Sequence, residues 1–237
     1  MQRHHSTSDS LCKYVRAETG GTVILSFSLG KDSVAAWIQL RRFFPHIVPY
    51  YLYLIPDLAF VNASLTYYEQ VFKTSIIRAP HPSVYRMLNN LVFQAPENCR
   101  LIESMQLQEP SYDTLAAMVR RENKLPPAAM VATGVRCSDS IMRRTSLKKW
   151  GSLNPKRKTF WPVFDWTADR LETELRQANM KLPVDYHMFG RSFDGIDFRF
   201  LNPIKERFPE DYARILQFFP LADLELFRRE SRLRHAR

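Results

Sequence analysis

A doubly wound α/β fold, built on a parallel sheet of about five strands, is what this 237-residue sequence predicts. Three observations lead there. Short β-branched and aromatic runs alternate with segments of helical period, the order that yields right-handed crossovers and a parallel sheet. The second of these runs is continuously apolar rather than alternating, as in a strand covered on both faces. Glycine and proline stand at the boundaries, where strands and helices stop.

The elements follow in order. Gly20-Gly21 breaks a polar leading stretch, and Thr22-Val23-Ile24-Leu25-Ser26-Phe27-Ser28 reads as the first strand. Residues 31–44 place Val34, Ala35, Trp37, Ile38 and Leu40 at helical spacing, and Pro45 ends that helix. Residues 47–55, with Tyr50, Tyr51 and Tyr53, form the second strand, closed by Pro56-Asp57. A helix over 63–73, with Asn62 or Ser64 as its N-cap, precedes a third strand over 75–79. Between Pro80 and Pro127 no strand is evident; helices over 83–92 and 111–122 predict a helical insertion over the sheet. Strand character resumes over 128–133, followed by a helix over 139–150, a fifth strand over 159–163 and a helix over 168–178. The segment from Leu182 onward is mixed.

Composition narrows the class. Hydrophobic residues make up 45% and charged residues 24%, ordinary globular usage that disfavours disordered and coiled-coil chains. No run approaches the ~18 apolar residues of a membrane span. The start, Met1-Gln2-Arg3-His4-His5-Ser6, lacks the apolar stretch of a signal peptide, so no membrane partner and a cytoplasmic location are expected. Cys12, Cys99 and Cys137 have no C-x-x-C spacing, which predicts reduced, packed thiols and neither zinc nor a disulfide framework. A net charge of +10 favours anionic ligands and leaves a nucleic-acid or protein partner open at a basic surface.

The segment Ser28-Leu29-Gly30-Lys31-Asp32-Ser33 joins the first strand to its helix. Small residues let backbone N–H groups reach phosphate oxygens, and a helix N-terminus adds positive potential. Gly30 has no partner glycine five positions earlier, so this is not a Walker loop. Leu29 stands where positive φ would strain any residue but glycine. Downstream, Arg136 and Arg143 suit charge-assisted bonds to phosphate or sulfate, Lys31 offers a point charge, and Asp32 or Asp57 suits Mg²⁺.

The loop resembles the S-G-G-x-D-S loop of the N-type ATP pyrophosphatases, with Leu29 in place of one glycine. Further segments are similar to the phosphoadenosine phosphosulfate reductase-like branch of that superfamily. They are Asp57 after the second strand, Thr133-Gly134-Val135-Arg136, Ser140-Ile141-Met142-Arg143, and Trp161-Pro162-Val163-Phe164-Asp165-Trp166, in matching order across about residues 22–190. The resemblance implies an adenine nucleotide alpha hydrolase-like sheet and a nucleotide site. That site comprises Ser26, Phe27, Ser28, Leu29, Gly30, Lys31, Asp32, Ser33, Asp57, Gly134, Arg136, Ser140 and Arg143. Lys31, Asp32, Arg136 and Arg143 are its candidate catalytic residues, ATP or phosphoadenosine phosphosulfate with Mg²⁺ its ligands, and pyrophosphatase or adenylyl-transfer chemistry its activity. On this reading residues 1–190 form the nucleotide-binding domain, with its helical insertion at about 80–127, and 191–237 an extension packing on it.

Reductases of that branch use a C-terminal cysteine and some of their relatives an iron–sulfur cluster; no cysteine follows Cys137 here, so no cluster is expected, and a sulfonucleotide-binding reductase homologue whose thiol is lost or comes from elsewhere is the first alternative function. A nucleotide-binding regulator serving a nucleic-acid-modifying system, as in a phage or mobile element, is a further alternative. In place of the cysteine tail stands a segment over 189–200 with Phe189, Phe193, Phe198 and Phe200, two Arg–Asp combinations and Gly190 and Gly195. It reads as a docking segment or as a turn closing over substrate. Tyr186-His187 reads as structural, and Arg228, Arg229, Arg232, Arg234 and Arg237 as a solvated helical face.

Overall fold

The computed structural model describes residues 5–235, with side chains throughout except at 230 and 232–235. Of the tail arginines, Arg237 lies outside the described residues, and Arg232 and Arg234 are described by backbone alone. The chain divides into two compact units. The first holds residues through Tyr51, Glu69–Arg78 and Tyr112–Leu182; the second holds Leu52–Tyr68, Ala79–Ser111 and the chain from Pro183 onward. Among the described residues no helix is long and apolar enough to cross a membrane.

The sheet has six strands, β1 (Thr22–Ser26), β2 (His46–Tyr53), β3 (Ile77–Pro80), β4 (Met130–Thr133), β5 (Leu153–Asn154) and β6 (Thr159–Phe160), in the order β3-β2-β1-β4-β6-β5. β1 pairs in parallel with both β2 and β4, placing Ser26 opposite Tyr50 on one side and Thr133 on the other. β4 pairs in parallel with β6, and β5 and β6 form an antiparallel pair. The expected fold class stands: a mostly parallel sheet with flanking helices.

Beyond the strands expected, the sheet includes β5, a two-residue strand that the sequence reading did not anticipate. The run over 159–163 is strand only at Thr159–Phe160: the Trp161 N–H still donates to the Ser152 carbonyl at 2.9 Å, in register with the β5–β6 pair, but Pro162 has no N–H to offer the ladder. Chain order runs outward through β2 and β3, then returns to β4 on the other side of β1. The topological switch point therefore lies between β1 and β4, the position at which open α/β sheets bind ligands.

The polar lead is a helix, α1 (Ser8–Thr19), which the sequence reading missed. Thr7 caps it, Leu11, Cys12 and Val15 form its buried face, and Gly20 ends it in the left-handed conformation. Asp165 of the Trp161–Trp166 motif accepts hydrogen bonds from the Ser8 backbone N–H and hydroxyl. That carboxylate is thus spent on anchoring α1. Helix α2 (Lys31–Leu40) packs on β1 and β4, and its Trp37 stacks on Phe72 with centroids 3.7 Å apart.

Helix α3 (Ala59–Phe72) begins earlier than periodicity predicts, so Asn62 and Ser64 are interior residues and not caps. Its first two N–H groups, of Ala59 and Phe60, instead donate to the Asp211 carboxylate at 2.6 and 3.1 Å. Asp211 lies in a later helix of the second unit and is 4% exposed. That unit also contains α4 (Pro82–Asn89) and α5 (Pro96–Met105), the latter between the two helices expected over 83–92 and 111–122. Helix α6 (Tyr112–Glu122) belongs to the first unit, as do α7 (Ile141–Trp150) and α8 (Ala168–Gln177).

The segment from Leu182 is helical throughout much of its length: α9 (Val184–Phe189), α10 (Phe198–Arg207), α11 (Pro209–Phe218) and α12 (Asp223–His235). Phe60 meets Phe193 edge-on at 5.6 Å, and Phe193 meets Phe200 edge-on at 5.5 Å, with Phe189 against both. Arg191 pairs with Asp194, and Arg199 with Asp197. Within its unit the 189–200 segment therefore serves as a core-filling, ion-pair-fastened connection.

Candidate functional site

Two strand ends and a helix start define the site. After β1, Phe27 continues the ladder by donating its N–H to the Tyr50 carbonyl at 2.8 Å. Its side chain is buried against Phe72, so any part it plays is through its backbone. The chain then turns over Ser28 and Leu29 into Gly30, the N-cap of α2.

Leu29 adopts φ 60 with its side chain 1% exposed. The strained conformation anticipated at this position is present, and core burial holds it. Ser33 closes the turn: its hydroxyl donates to the Gly30 carbonyl at 2.7 Å and accepts the Ser28 N–H at 3.3 Å. Lys31 is the first residue of α2, directly after the turn.

Gly134 follows β4 and shows why no side chain stands there. A Cβ would fall 2.5 Å from the Asp32 carbonyl oxygen and 2.8 Å from the Ser33 nitrogen. Backbone thus presses on backbone between the first turn of α2 and the end of β4.

Two residues on, Arg136 is 4% exposed and surrounded by acceptors. Its Nε donates to Asp32 Oδ1 at 2.7 Å, Nη1 to the Ser138 hydroxyl at 3.0 Å, and Nη2 lies 2.6 Å from Asp139 Oδ1. The other Asp139 oxygen takes Arg143 Nη1 at 2.7 Å, and Ser140 caps α7 by accepting the Arg143 N–H at 3.2 Å. Asp32, Arg136, Asp139 and Arg143 are therefore one chain of alternating charge. Asp139, which joins the two arginines, was missed by sequence reasoning. Its signal was there: it is the sole acid between residues 136 and 158, in the middle of a basic stretch.

Against the carboxyl ends of β1 and β4, at Ser26 and Thr133, lies a cavity of about 290 Å³, at the lower end of small-molecule sites. Ser26, Thr133 and Tyr50 contribute from the sheet, Tyr112 and Asp113 from α6, and Arg157, Thr159 and Trp161 from the β5–β6 region. Thr133 Oγ1 is buried there without a hydrogen-bond partner among the described residues. Burial pushes the Tyr50 hydroxyl above its ordinary range, partly offset by its bond to Ser26. Arg157 and Asp113 pair across the cavity's edge at 3.1 Å. Of these wall residues only Ser26 was singled out as a binding residue from sequence, because the others come from five separate elements.

Asp57, the other expected Mg²⁺ residue, belongs to the second unit. It has φ 60, and its carboxylate accepts from Arg214 Nη2 at 3.2 Å. Among the described residues no group of three or more His, Cys, Asp or Glu is arranged to hold a metal ion. Burial raises the Cys12 thiol to about 12 and raises that of Cys137 as well.

No protein-family model matches the sequence, and no curated protein aligns with it. Among solved structures the chain is similar to a U34-tRNA thiolase, NcsA, from Methanococcus maripaludis, which carries a [4Fe-4S] cluster. That match has a TM-score of 0.44 and 14% identity and covers 91% of this chain and 79% of the other. A second is the NH3-dependent NAD synthetase from Campylobacter jejuni in complex with nitrate, with a TM-score of 0.40, 13% identity and 93% of each chain covered. At such identities and scores the functional reading rests on the residues of this chain.

Proposed function

We propose that the first unit binds an adenine nucleotide, with its pyrophosphate on the turn from Ser28 to Ser33 and its base in the cavity walled by Tyr50 and Trp161. The bound nucleotide is then cleaved between its α and β phosphates, and the adenylyl group passes to an acceptor. One observation carries this reading. The turn, the N-terminus of α2 and the cavity with its orphaned Thr133 hydroxyl share the carboxyl ends of β1 and β4, at the switch point of the sheet.

The labour divides by position. Backbone N–H groups at the start of α2 and the Lys31 ammonium stabilise charge on the departing pyrophosphate. Arg136, enclosed by Asp32, Ser138 and Asp139, acts as a positioning residue that holds the turn in place. Arg143, with its side chain 45% exposed, is the arginine placed to reach an anionic group. Ser26 and Thr133 offer hydroxyls to the edge of a base. Mg²⁺, bound through nucleotide phosphates and water, would offset charge on the leaving group. Asp32 suits such a contact through water, since its Oδ1 already accepts from Arg136. Cysteine-based sulfur reduction is the poorer reading, because burial raises the thiols of Cys12 and Cys137, away from the thiolate that such chemistry needs.

The test is thermal unfolding with ATP, AMP and phosphoadenosine phosphosulfate, each with Mg²⁺, alongside pyrophosphate release from γ-labelled ATP. A nucleotide at 100 times its dissociation constant adds about 2.7 kcal/mol of stability. Lys31→Ala and Ser33→Ala should weaken ATP binding about tenfold or more, the size of losing one charge-assisted contact. Binding with no pyrophosphate release would make the chain a nucleotide-responsive regulator. No stabilisation by any nucleotide at millimolar concentration would sink the reading.

A further inference from the structure

Helix α7 is a ten-residue helix with no buried residue. Ile141 is 73% exposed, Met142 79% and Trp150 57%. Its principal packing is against the short turn Cys137–Asp139 that precedes it. An isolated helix of this length is marginal in water, so a surface of this kind is completed by something outside the chain.

Charge says what that is. Between residues 140 and 158 the sequence has seven Arg and Lys and no acid. Arg144, Lys148 and Lys149 project from α7, and the β5–β6 turn adds Lys156, all exposed. Among the described residues none of these four makes an ion pair. Lys149 Nζ lies over the Trp150 ring at 4.7 Å, which leaves an exposed indole beside a cation.

The arrangement discriminates between anionic partners. A membrane-surface helix separates an apolar face from a cationic one. In α7 they interleave: Ile141, Met142, Leu147 and Trp150 are distributed around the helix among Arg143, Arg144, Lys148 and Lys149. Cations to track phosphates, with a ring and flexible apolar side chains between them, is how single strands are held without sequence reading. We propose that α7 and the β5–β6 turn form a docking platform for single-stranded nucleic acid. This stands on the surface alone and does not depend on the nucleotide reading above.

The experiment is fluorescence anisotropy of the full chain with a fluorescein-labelled 15-nucleotide RNA of mixed sequence, its DNA counterpart, and the RNA duplex, without added nucleotide. The single strands should bind at 50 mM KCl, more tightly than the duplex, and the RNA and DNA arms show which backbone is preferred. Four phosphate contacts to a single strand predict a loss of about 50-fold between 50 and 200 mM salt. The double variant Lys148→Glu/Lys149→Glu should lose most of the binding. Trp150→Ala should weaken single-strand binding about fivefold or more without altering the salt dependence, and Trp150→Phe should restore much of it. These residues are exposed, so circular dichroism and melting temperature should match the parent and serve as the folding control.

The proposal is overturned if no strand binds at 50 mM KCl, or if the duplex binds as tightly as the single strands. It is equally overturned if the Lys148/Lys149 or Trp150→Ala variants bind like the parent, or if the chain binds phosphatidylserine vesicles and not RNA or DNA.

Discussion

Arg136 Nε lies 2.7 Å from Asp32 Oδ1, and this pair fastens the first turn of α2 to the chain leaving β4. Because the guanidinium also bonds Ser138 and Asp139, it is a strut of the site before it is a ligand of anything. Arg136→Ala should strip Asp32 and Asp139 of their shared cation and destabilise the chain by about 2–4 kcal/mol, in the range for breaking a buried pair whose acids are partly solvated. Arg136→Lys keeps the charge but not the three-way fork and should fall between. Urea melts of the three proteins check the order; an Arg136→Ala variant as stable as the parent would remove the strut.

Gly134 meets the backbone of Asp32 and Ser33 with no room for a methyl group. Neither neighbour is a side-chain tip that can swing aside, so Gly134→Ala must displace the start of α2. A cost of about 1–3 kcal/mol is expected, as for other overpacked sites. Nucleotide affinity should fall further than this loss of stability alone predicts. Calorimetry under conditions where both proteins are fully folded separates the two effects.

Leu29 combines a left-handed backbone with a buried side chain. Leu29→Ala removes the burial and keeps the strain, so a loss of about 2–5 kcal/mol is expected. Leu29→Gly also removes the strain, worth about 1–2 kcal/mol, against glycine's greater unfolded entropy. Glycine should therefore be tolerated at least as well as alanine here, the reverse of the usual order, and paired denaturation curves decide it.

Asp185 is 2% exposed in the second unit, with Oδ2 accepting the Phe193 N–H at 2.9 Å and Oδ1 orphaned among the described residues. Burial pushes its carboxyl up to about 6, from an ordinary 3.8. A raised folded pKa means stability that is full below about pH 4 and lost as pH rises through about 6. Asp185→Asn, which cannot ionise, should escape that loss. The stability difference, variant minus parent, should grow by about 2–3 kcal/mol between pH 4 and pH 7. Melts across that range would refute the assignment if the difference stayed flat.

Local chemistry made the sheet and the turn legible in advance. The glycine-bounded run ending at Ser28, the helical spacing after Lys31 and the continuous apolar run through Tyr50 each announce an element within a few residues. Gly30 and Ser33 announce a phosphate-sized turn between two of them. The interleaved chemistry of residues 140–158 is likewise visible as text.

What the sequence could not announce depends on partners far along the chain. The start of α3 is set by Asp211, some 150 residues later, so local capping rules placed it too late. The last strand pair joins Leu153–Asn154 to Thr159–Phe160, two segments of two residues each, too short to show a period. The role of Arg136 depends on its distance from Asp32, 104 positions earlier, because an arginine reads as a phosphate ligand until its acceptors are seen. The sequence by itself determined the strands β1 to β4, the turn from Ser28 to Ser33 and the helix after it, because period and backbone conformation are local properties. Tertiary structure alone decided which charges are spent on each other and which remain for a ligand, because pairing is decided by proximity and burial.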